Sequence, residues 1–347
     1  MSSVVSAPPP DLGRLEPYLR SCVPAVGRLH GASRIVGGNS NPIWRLEADG
    51  GAYILRTQPA GALLKSAHAL DREVRVITAL HGSAVPVARI HVLCSDLDVI
   101  GVQFYLMDCV EGEVHRNVAL PDVPPARREA VYRAALDSLL AIHRTDLAAT
   151  GLSDFGRPGN YFERQLHRWS QQYRTAVPEG LPALDALVSA LEPLVPREPA
   201  PTVLLHGDCR LDNLMFEPGT PRVKAVLDWE LSTLGHPLAD LGQFLGVQEL
   251  PPDYLLPGLA GVDRAALGLP SQQALARYYL ERSGLPVDTD LRFHKAFAMF
   301  RQAAMSAGLL RRAREGTAVA ESALAFGESA EVFAEVGLAI LAGPQGT

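Results

Sequence analysis

Two short stretches near the middle of the chain decide its fold: His206-Gly207-Asp208-Cys209-Arg210-Leu211-Asp212-Asn213 and Val226-Leu227-Asp228-Trp229-Glu230. Each follows an apolar run that predicts a short strand, over Val203–Leu205 and within Arg222–Asp228. Loops at strand ends commonly carry functional side chains. Asn213 lies five positions after Asp208, and Asp228 lies twenty positions after it. A plain turn would explain the first stretch alone, but its combination with Asp228 on a second strand predicts a functional site.

The residue types at this site suit phosphoryl transfer. Asp208 would orient the hydroxyl of an acceptor and take its proton. Asn213 and Asp228 offer the hard oxygen ligands that Mg²⁺ prefers, and they would hold the metal against the phosphates of ATP. Arg210, in the same loop, is the second catalytic candidate. The alternative for Asp228 is a cap at the end of its strand.

Composition bounds the class of protein. The chain has 347 residues, 47% hydrophobic and 20% charged, which predicts a globular protein of two domains or two lobes. A net charge of −6 argues against nucleic-acid binding, and no apolar run is long enough to span a membrane. The four cysteines are widely spaced, and no signal peptide is apparent. This pattern favours a reducing cytoplasm over a disulfide framework or a zinc site.

The start of the chain predicts a loose tail over residues 1–20, followed by a small sheet with one helix. The predicted helix covers Ser66–Leu80, and the predicted strands cover Ile43–Ala48, Ala52–Arg56, Ala88–Cys94 and Val102–Met107. Asp49-Gly50-Gly51 joins the first two strands and is a strong hairpin signal. Residues 21–107 are therefore interpreted as one lobe, the N-lobe.

After a connector at residues 108–112, the pattern changes to helices. They are predicted over Ala126–His143, Tyr161–Thr175, Leu184–Leu191, Gln272–Ser283 and Phe293–Arg314. The predicted fold class is α+β and bilobal, with a β-rich N-lobe, a hinge at 108–112 and a larger helical C-lobe over 113–347. A nucleotide is expected between the lobes, because ligand pockets favour such interfaces.

Arg56 and Glu73 form the second predicted constellation. Arg56 ends the strand Ala52–Arg56, where it could neutralise phosphates. Glu73 lies beside the apolar stripe of the following helix, so its carboxylate needs a partner, and Arg56 is the candidate. Kinase sites use a lysine on this strand, but the only lysines here are Lys65, Lys224 and Lys295. The alternative is an exposed arginine and a surface glutamate.

Two further loops bear on the site. Gly37-Gly38-Asn39-Ser40-Asn41-Pro42 could place the backbone N–H groups of Gly38, Asn39 and Ser40 over phosphates, although it is no GxGxxG motif and a plain turn is the alternative. Asp240 is expected to orient the loop of Asp208, with an ordinary helix N-terminal aspartate as the alternative. His206 is expected to brace the same loop.

With these motifs the chain resembles the aminoglycoside phosphotransferase and choline kinase family, which has a protein-kinase-like fold. More narrowly, it is similar to the kinase-like domain at the N-terminus of some long acyl-CoA dehydrogenases and to free-standing bacterial versions. Besides the Asp208 and Asp228 motifs, the matching stretches are Gly37–Pro42, Tyr53–Arg56, Ser66–Glu73, Phe104–Met107 and Gly156–Gln165. The Gly156–Gln165 stretch indicates the narrower group.

The resemblance implies ATP, Mg²⁺ and transfer to a hydroxyl group. It assigns the base to Asp208 and the metal to Asn213 and Asp228. It also implies that Arg56 with Glu73 positions the phosphates, and that the connector backbone at Asp108 and Val110 binds adenine. The sequence departs from the broader family in having Arg56 where lysine is usual and Cys209 where an aromatic residue is common.

The resemblance leaves the acceptor, a small molecule with a hydroxyl group, open. The narrower group suggests a hydroxylated acyl or acyl-CoA compound, and Arg157, Arg164 and Arg168 could bind its negative charges. The alternatives are an aminoglycoside acceptor or a non-catalytic, nucleotide-binding pseudokinase. The presence of Asp208, Asn213 and Asp228 argues against a pseudokinase.

Overall fold

The computed structural model describes residues 9–35, 41–59, 70–157, 159–196, 201–314 and 327–344. The first lobe contains an antiparallel sheet with the spatial order β1-β2-β3-β5-β4, in which the strands are β1 (Leu29–Ile35), β2 (Ile43–Ala48), β3 (Gly51–Thr57), β4 (Ile90–Cys94) and β5 (Phe104–Asp108). The predicted hairpin is confirmed, with Ala48 opposite Gly51. Its turn requires glycine, because Gly51 has a φ of +116° and a Cβ on Gly50 would lie 1.9 Å from the carbonyl oxygen of Ala25.

The expectation of a loose tail over residues 1–20 is wrong for its second half. Helix α1 spans Leu12–Cys22, and the side chain of Asp11 caps it by accepting from the backbone N–H groups of Gly13 and Arg14. Leu15 and Leu19 are buried in the core beneath the sheet. The sequence does carry a signal for this helix, the N-cap Asp11 followed by Leu15 and Leu19 at helical spacing. It was overlooked because the residues before it are rich in proline. Strand β1 was likewise not predicted.

Helix α2 spans Leu70–Leu80, and residues 66–69 of the predicted helix lie outside the described part of the chain. The helix buries Glu73 together with Val76, Ile77 and Leu80. These three apolar side chains pack into the main core of the second lobe rather than into the core beneath the sheet. The short helix α3, Leu97–Ile100, occupies the turn before β5.

The second lobe begins after residues 109–112. It contains two small antiparallel sheets, one formed by β6 (Glu113–Val114), β8 (Leu214–Phe216) and β9 (Val223–Val226) and the other by β7 (Val203–Leu205) and β10 (Thr233–Gly235). The helices are α4 (Pro125–His143), α5 (Tyr161–Ala176), α6 (Pro182–Leu191), α7 (Leu238–Gly246), α8 (Gln272–Ser283), α9 (Arg292–Arg314) and α10 (Ala330–Ala342). Short 3₁₀ turns lie at Pro24–Val26, Glu192–Leu194, Leu211–Asn213 and Val247–Glu249.

Two apolar cores hold the second lobe together. One joins α4 and α8 to the strands beside the Asp208 loop, and the other surrounds α9 with α5, α6, α7 and α10. Helix α9 is buried along most of its length because helices flank it on several sides. The predicted α+β, two-lobed architecture is confirmed. In the described part of the chain, no helix has the length and apolar character that a membrane crossing requires.

Candidate active site

The loop after β7 is held by Asp240 on α7. The backbone N–H groups of His206 and Gly207 donate to its carboxylate at 2.7 and 2.9 Å, and His143 Nε2 lies 3.2 Å from the same group. Burial alone would raise the pKa of Asp240, but the hydrogen bonds, above all the one with His143, lower it below its usual value. His206 Nε2 donates to the carbonyl oxygen of Leu227 at 2.8 Å. The predicted orienting role of Asp240 and bracing role of His206 are confirmed.

The carboxylate of Asp208 is surrounded by donors. Gln243 Nε2 lies 2.9 Å from Oδ1, and Gln302 Nε2 lies 3.4 Å from the same oxygen. On the other oxygen, Asn213 Nδ2 lies 3.2 Å and Arg210 Nη2 lies 3.7 Å from Oδ2. Four side chains from three parts of the second lobe therefore fix one carboxylate, whose side chain keeps 17% of its surface exposed.

Asn213 and Asp228 fit a Mg²⁺ ion. Asn213 Nδ2 donates both to the backbone oxygen of Asp208, at 2.8 Å, and to its carboxylate, so the amide must turn its oxygen the other way. Asp228 follows β9 with a φ of +61°, and 36% of the surface of its side chain is exposed. Mg²⁺ is usually held by one or two protein oxygens plus phosphates and water. Among the described residues, no group of three metal-ligating side chains suggests another metal.

Arg56 connects the two lobes. Its Nη1 lies 2.7 Å from Glu73 Oε1, which gives the predicted pair, and its Nη2 lies 3.0 Å from Asp228 Oδ1 and 2.9 Å from Glu230 Oε2. The side chains of Arg56 and Glu73 are only 6% and 2% exposed. Burial alone would lower the pKa of Arg56, but Glu73 and Asp228 outweigh it and raise the pKa well above its usual value.

The connector between the lobes presents free backbone groups. Asp108 ends β5, and its carboxylate lies 2.6 Å from His91 Nε2. Among the described residues, the backbone of Val110 makes no hydrogen bond. This leaves Val110 open to the edge of a base. The predicted phosphate-loop residues Gly38, Asn39 and Ser40 lie outside the described part of the chain.

Three arginines, Arg72, Arg168 and Arg301, lie near one another close to the Asp208 loop. Arg301 Nη2 donates to the carbonyl oxygen of Gly207 at 2.8 Å, and Arg72 Nη2 donates to that of Phe155 at 2.8 Å. Arg168 stacks on the indole of the next residue. Burial and the charges of Arg301 and Arg72 lower the pKa of Arg168. Among the described residues, none of the three forms an ion pair with a carboxylate, so their charge is not neutralised.

Arg157 and Arg164, the other two arginines of the predicted acceptor segment, lie outside this cluster. Arg164 donates to the carbonyl oxygens of Gly159 and Arg157 at 2.6 and 2.9 Å, so it holds the loop before α5. Arg157 is exposed. Only Arg168 of this set joins the unneutralised cluster.

Two histidines lie close together, half-buried His236 just before α7 and buried His294 on α9, with ring centroids 5.7 Å apart. Burial, reinforced by neighbouring histidine charge, lowers the pKa of His236 to about 4 and that of His294 to about 3, from 6.5. In the unfolded chain both would bind protons near pH 6.5, so the unfolded state binds more protons below that pH. Their contribution to stability is therefore complete above about pH 6.5 and is lost as the pH falls towards 4.

We expect the melting temperature to fall between pH 7 and pH 5, and the variant His294→Phe to show a shallower fall because one titrating group is gone. Thermal melting monitored by circular dichroism across this range measures the effect. The variant His167→Gln, which changes an exposed histidine on α5, is the control and should keep the wild-type slope. An unchanged slope in His294→Phe would contradict the assignment.

Several site residues were not predicted from the sequence: Glu230, Gln243, Arg301 and Gln302. A partial signal exists for three of them. Gln243 lies three positions after Asp240, hence on the same face of α7. Arg301 and Gln302 interrupt an otherwise apolar run on α9. The residues that they contact, Gly207 and Asp208, are determined by tertiary packing.

The sequence model of a phosphotransferase enzyme family matches residues 31–278. Among curated proteins, the chain is 40% identical to acyl-CoA dehydrogenase family member 10 of Mus musculus over 86% of this chain and 28% of that protein. It is 38% identical to acyl-CoA dehydrogenase family member 11 of Gallus gallus over 94% of this chain and 43% of that protein. The chain therefore spans less than half the length of these relatives.

Solved structures show the same fold. A Ralstonia eutropha protein provisionally named an aminoglycoside phosphotransferase is 41% identical, with a TM-score of 0.82 over 96% of this chain and 98% of that chain. A thermostable mutant of aminoglycoside phosphotransferase APH(4)-Ia, in complex with ADP and hygromycin B, has a TM-score of 0.63 at 15% identity, over 95% and 99% of the two chains. At that identity, the likeness concerns the fold alone.

Proposed function

This chain belongs to the phosphotransferase enzyme family, and from that premise we propose that it transfers the γ-phosphoryl group of ATP, with Mg²⁺, to a hydroxyl group of a small molecule. The observation that carries the proposal is the convergence of Asp208, Asn213, Asp228 and Arg56 in one cleft. Phosphoryl transfer depends on positioning and on neutralising charge, and these residues supply both.

The proposed roles follow from the contacts. Asp208 accepts the proton of the acceptor hydroxyl, and Arg210 holds the same loop beside it. Asn213 and Asp228 hold Mg²⁺, which would neutralise charge on the phosphate oxygens. Arg56, fixed by Glu73, is the cation that faces the phosphates.

For the nucleotide, Val110 and its neighbour Asp108 support adenine binding at the connector. The backbone of Val110 makes no hydrogen bond among the described residues, whereas the backbone N–H of Asp108 donates to the carbonyl oxygen of Arg89. The role of Gly38, Asn39 and Ser40 over the phosphates stays a prediction. The four free cysteines, in turn, support a reducing compartment such as the cytoplasm.

For the acceptor we favour an anion such as a hydroxylated acyl or acyl-CoA compound. In the cluster of Arg72, Arg168 and Arg301, which forms no ion pair with a carboxylate among the described residues, Arg301 contacts Gly207, one residue before Asp208. A cluster of guanidinium groups attracts carboxylates and phosphates and repels polycations. An aminoglycoside carries several ammonium groups, so it is the second candidate, supported by the names of the structural neighbours.

The test of function is ADP release from ATP in the presence of Mg²⁺ and a panel of acceptors: hydroxyacyl-CoAs, free hydroxy acids, aminoglycosides, choline and sugars. Stimulation by one class identifies the acceptor. Stimulation by aminoglycosides alone would overturn the anionic acceptor. A protein that binds nucleotide yet responds to no acceptor would favour the pseudokinase.

We expect the variant Arg168→Gln to raise the KM for an anionic acceptor about tenfold, because a charge-assisted hydrogen bond contributes about 1.5–3 kcal/mol. The KM for ATP should stay within twofold of the wild type. Initial rates at varied acceptor and fixed ATP measure the change. Arg133→Gln, on the exposed face of α4, is the matched control, and an equal rise in both variants would argue against the anion site.

A further inference from the structure

Two buried glutamines act on the same carboxylate oxygen of the proposed base. Gln243 on α7 and Gln302 on α9 are 1% and 3% exposed, and both amide nitrogens point at Asp208 Oδ1. We infer that Gln243 and Gln302 are positioning residues that fix the Asp208 carboxylate through Oδ1 and so hold it in the orientation in which it accepts the acceptor proton. This inference rests on the proposed function.

The hydrogen bonding of Gln243 distinguishes this role from ordinary packing. Its Nε2 bonds to Asp208, and its buried Oε1 has no hydrogen-bond partner among the described residues. A buried amide oxygen without a partner costs about 1–3 kcal/mol, and an apolar side chain of the same length would avoid that cost. Among the described residues, the one hydrogen bond that the Gln243 side chain makes is therefore with the proposed base.

Neighbouring residues on α9 support the same assignment. Arg301 Nη2 donates to the backbone oxygen of Gly207, while Gln302 Nε2 reaches the carboxylate one residue later. Helix α9 thus fixes both the backbone and the side chain of the loop. Asp240 on α7 fixes the loop backbone from the other helix, and Gln243 on the same helix fixes Asp208. Each helix therefore contributes one side chain to the loop backbone and one to Asp208.

The arrangement determines how the carboxylate is oriented. Oδ1 receives the two glutamine donors, while Oδ2 accepts from Asn213 Nδ2 and lies 3.7 Å from Arg210 Nη2. In the transfer step, the acceptor oxygen forms a bond to the γ-phosphorus as the bond from that phosphorus to the bridging oxygen of ADP breaks. The hydroxyl proton passes to the Asp208 carboxylate. A carboxylate free to rotate would present its oxygens in the wrong direction, and a misplacement of about 1 Å can cost about 10²-fold in rate.

The experiment compares Gln243→Met, which keeps the length of the side chain and removes the donor, with Gln243→Glu, which places a second carboxylate against Asp208. We expect kcat to fall about tenfold in the first and further in the second, with the KM for ATP within twofold of the wild type. Gln302→Met should have a smaller effect, because its bond is longer. Gln248→Met is the control: this buried glutamine bonds to Phe244 and Arg264, so its loss should lower the melting temperature without lowering kcat.

A double-mutant cycle separates positioning from a general structural effect. In the Asp208→Asn background, Gln243→Met should slow the remaining ADP release less than twofold, because the group through which it acts is already altered. A tenfold further loss would overturn the inference. So would a Gln302→Met effect larger than that of Gln243→Met.

Crystal structures of the wild type and of Gln243→Met test the inference without any turnover. The wild type should show one orientation of the Asp208 carboxylate, and the variant should show a rotated or doubled one. An unmoved carboxylate in the variant would overturn the inference. If the wild type responds to no acceptor, the proposed function is contradicted instead. The two crystal structures would still show whether the glutamines hold Asp208 in one orientation.

Discussion

Replacing Asp208 with Asn should reduce acceptor-dependent ADP release by about 10²–10⁴-fold, the range usual for loss of a general base. The amide keeps the size of the carboxylate but cannot take the proton of the acceptor hydroxyl. Its oxygen can still accept from Gln243, so the loop should keep its shape. The rate of ADP release at saturating acceptor, measured in a coupled assay, reports the change.

Two controls accompany Asp208→Asn. The melting temperature should stay within a few degrees of the wild type, which would show that the loss lies in the chemistry. Asp137→Asn replaces an exposed carboxylate on α4 that accepts a hydrogen bond from Tyr278, and it should keep the wild-type rate. If Asp208→Asn releases ADP as fast as Asp137→Asn does, Asp208 is not the catalytic base.

Replacing Arg56 with Met should affect both activity and stability. The substitution leaves Glu73 buried without its ion-pair partner, and breaking a buried pair in this way typically costs about 3–5 kcal/mol. It also removes the proposed phosphate cation, so the KM for ATP should rise and kcat should fall by at least tenfold. Urea unfolding and ATP-dependent initial rates measure the two effects.

The double variant Arg56→Met with Glu73→Gln separates these effects. Neutralising Glu73 removes the unpaired charge, so much of the lost stability should return while activity stays low. Arg56→Lys should retain more activity than Met but less than the wild type, since an ammonium is a point charge and cannot fork between Glu73 and Asp228. Full activity in the double variant would show that Arg56 serves the fold alone.

Local signals predicted a large part of this molecule. The hairpin at Asp49-Gly50-Gly51 is encoded in consecutive residues, and the pairing of Arg56 with Glu73 follows from a strand end and a helix stripe only 17 positions apart. The loops of Asp208 and Asp228 were predicted because their residue types and spacing are specific to one kind of chemistry. The roles of these residues stay predictions until the variants are measured.

What the sequence did not reveal depends on contacts between distant segments. Strands β8 and β10 have three residues each, and they exist because a partner strand meets them rather than because of a local apolar pattern. Gln243 and Gln302 lie 35 and 94 positions from Asp208. No spacing rule connects such residues, since only the packing of α7 against α9 brings them to one carboxylate.

The packing of α2 has a mechanical consequence. Val76, Ile77 and Leu80 anchor this helix in the core of the second lobe, although the chain places it among the strands of the first. The helix also contacts β4 and β5 of the sheet, so a rigid rotation of the sheet against the second lobe would strain the packing of α2 on one of its two sides. The ion pair of Arg56 with Glu73 joins the sheet to α2, so it would resist separation of the two whenever the cleft opens or closes.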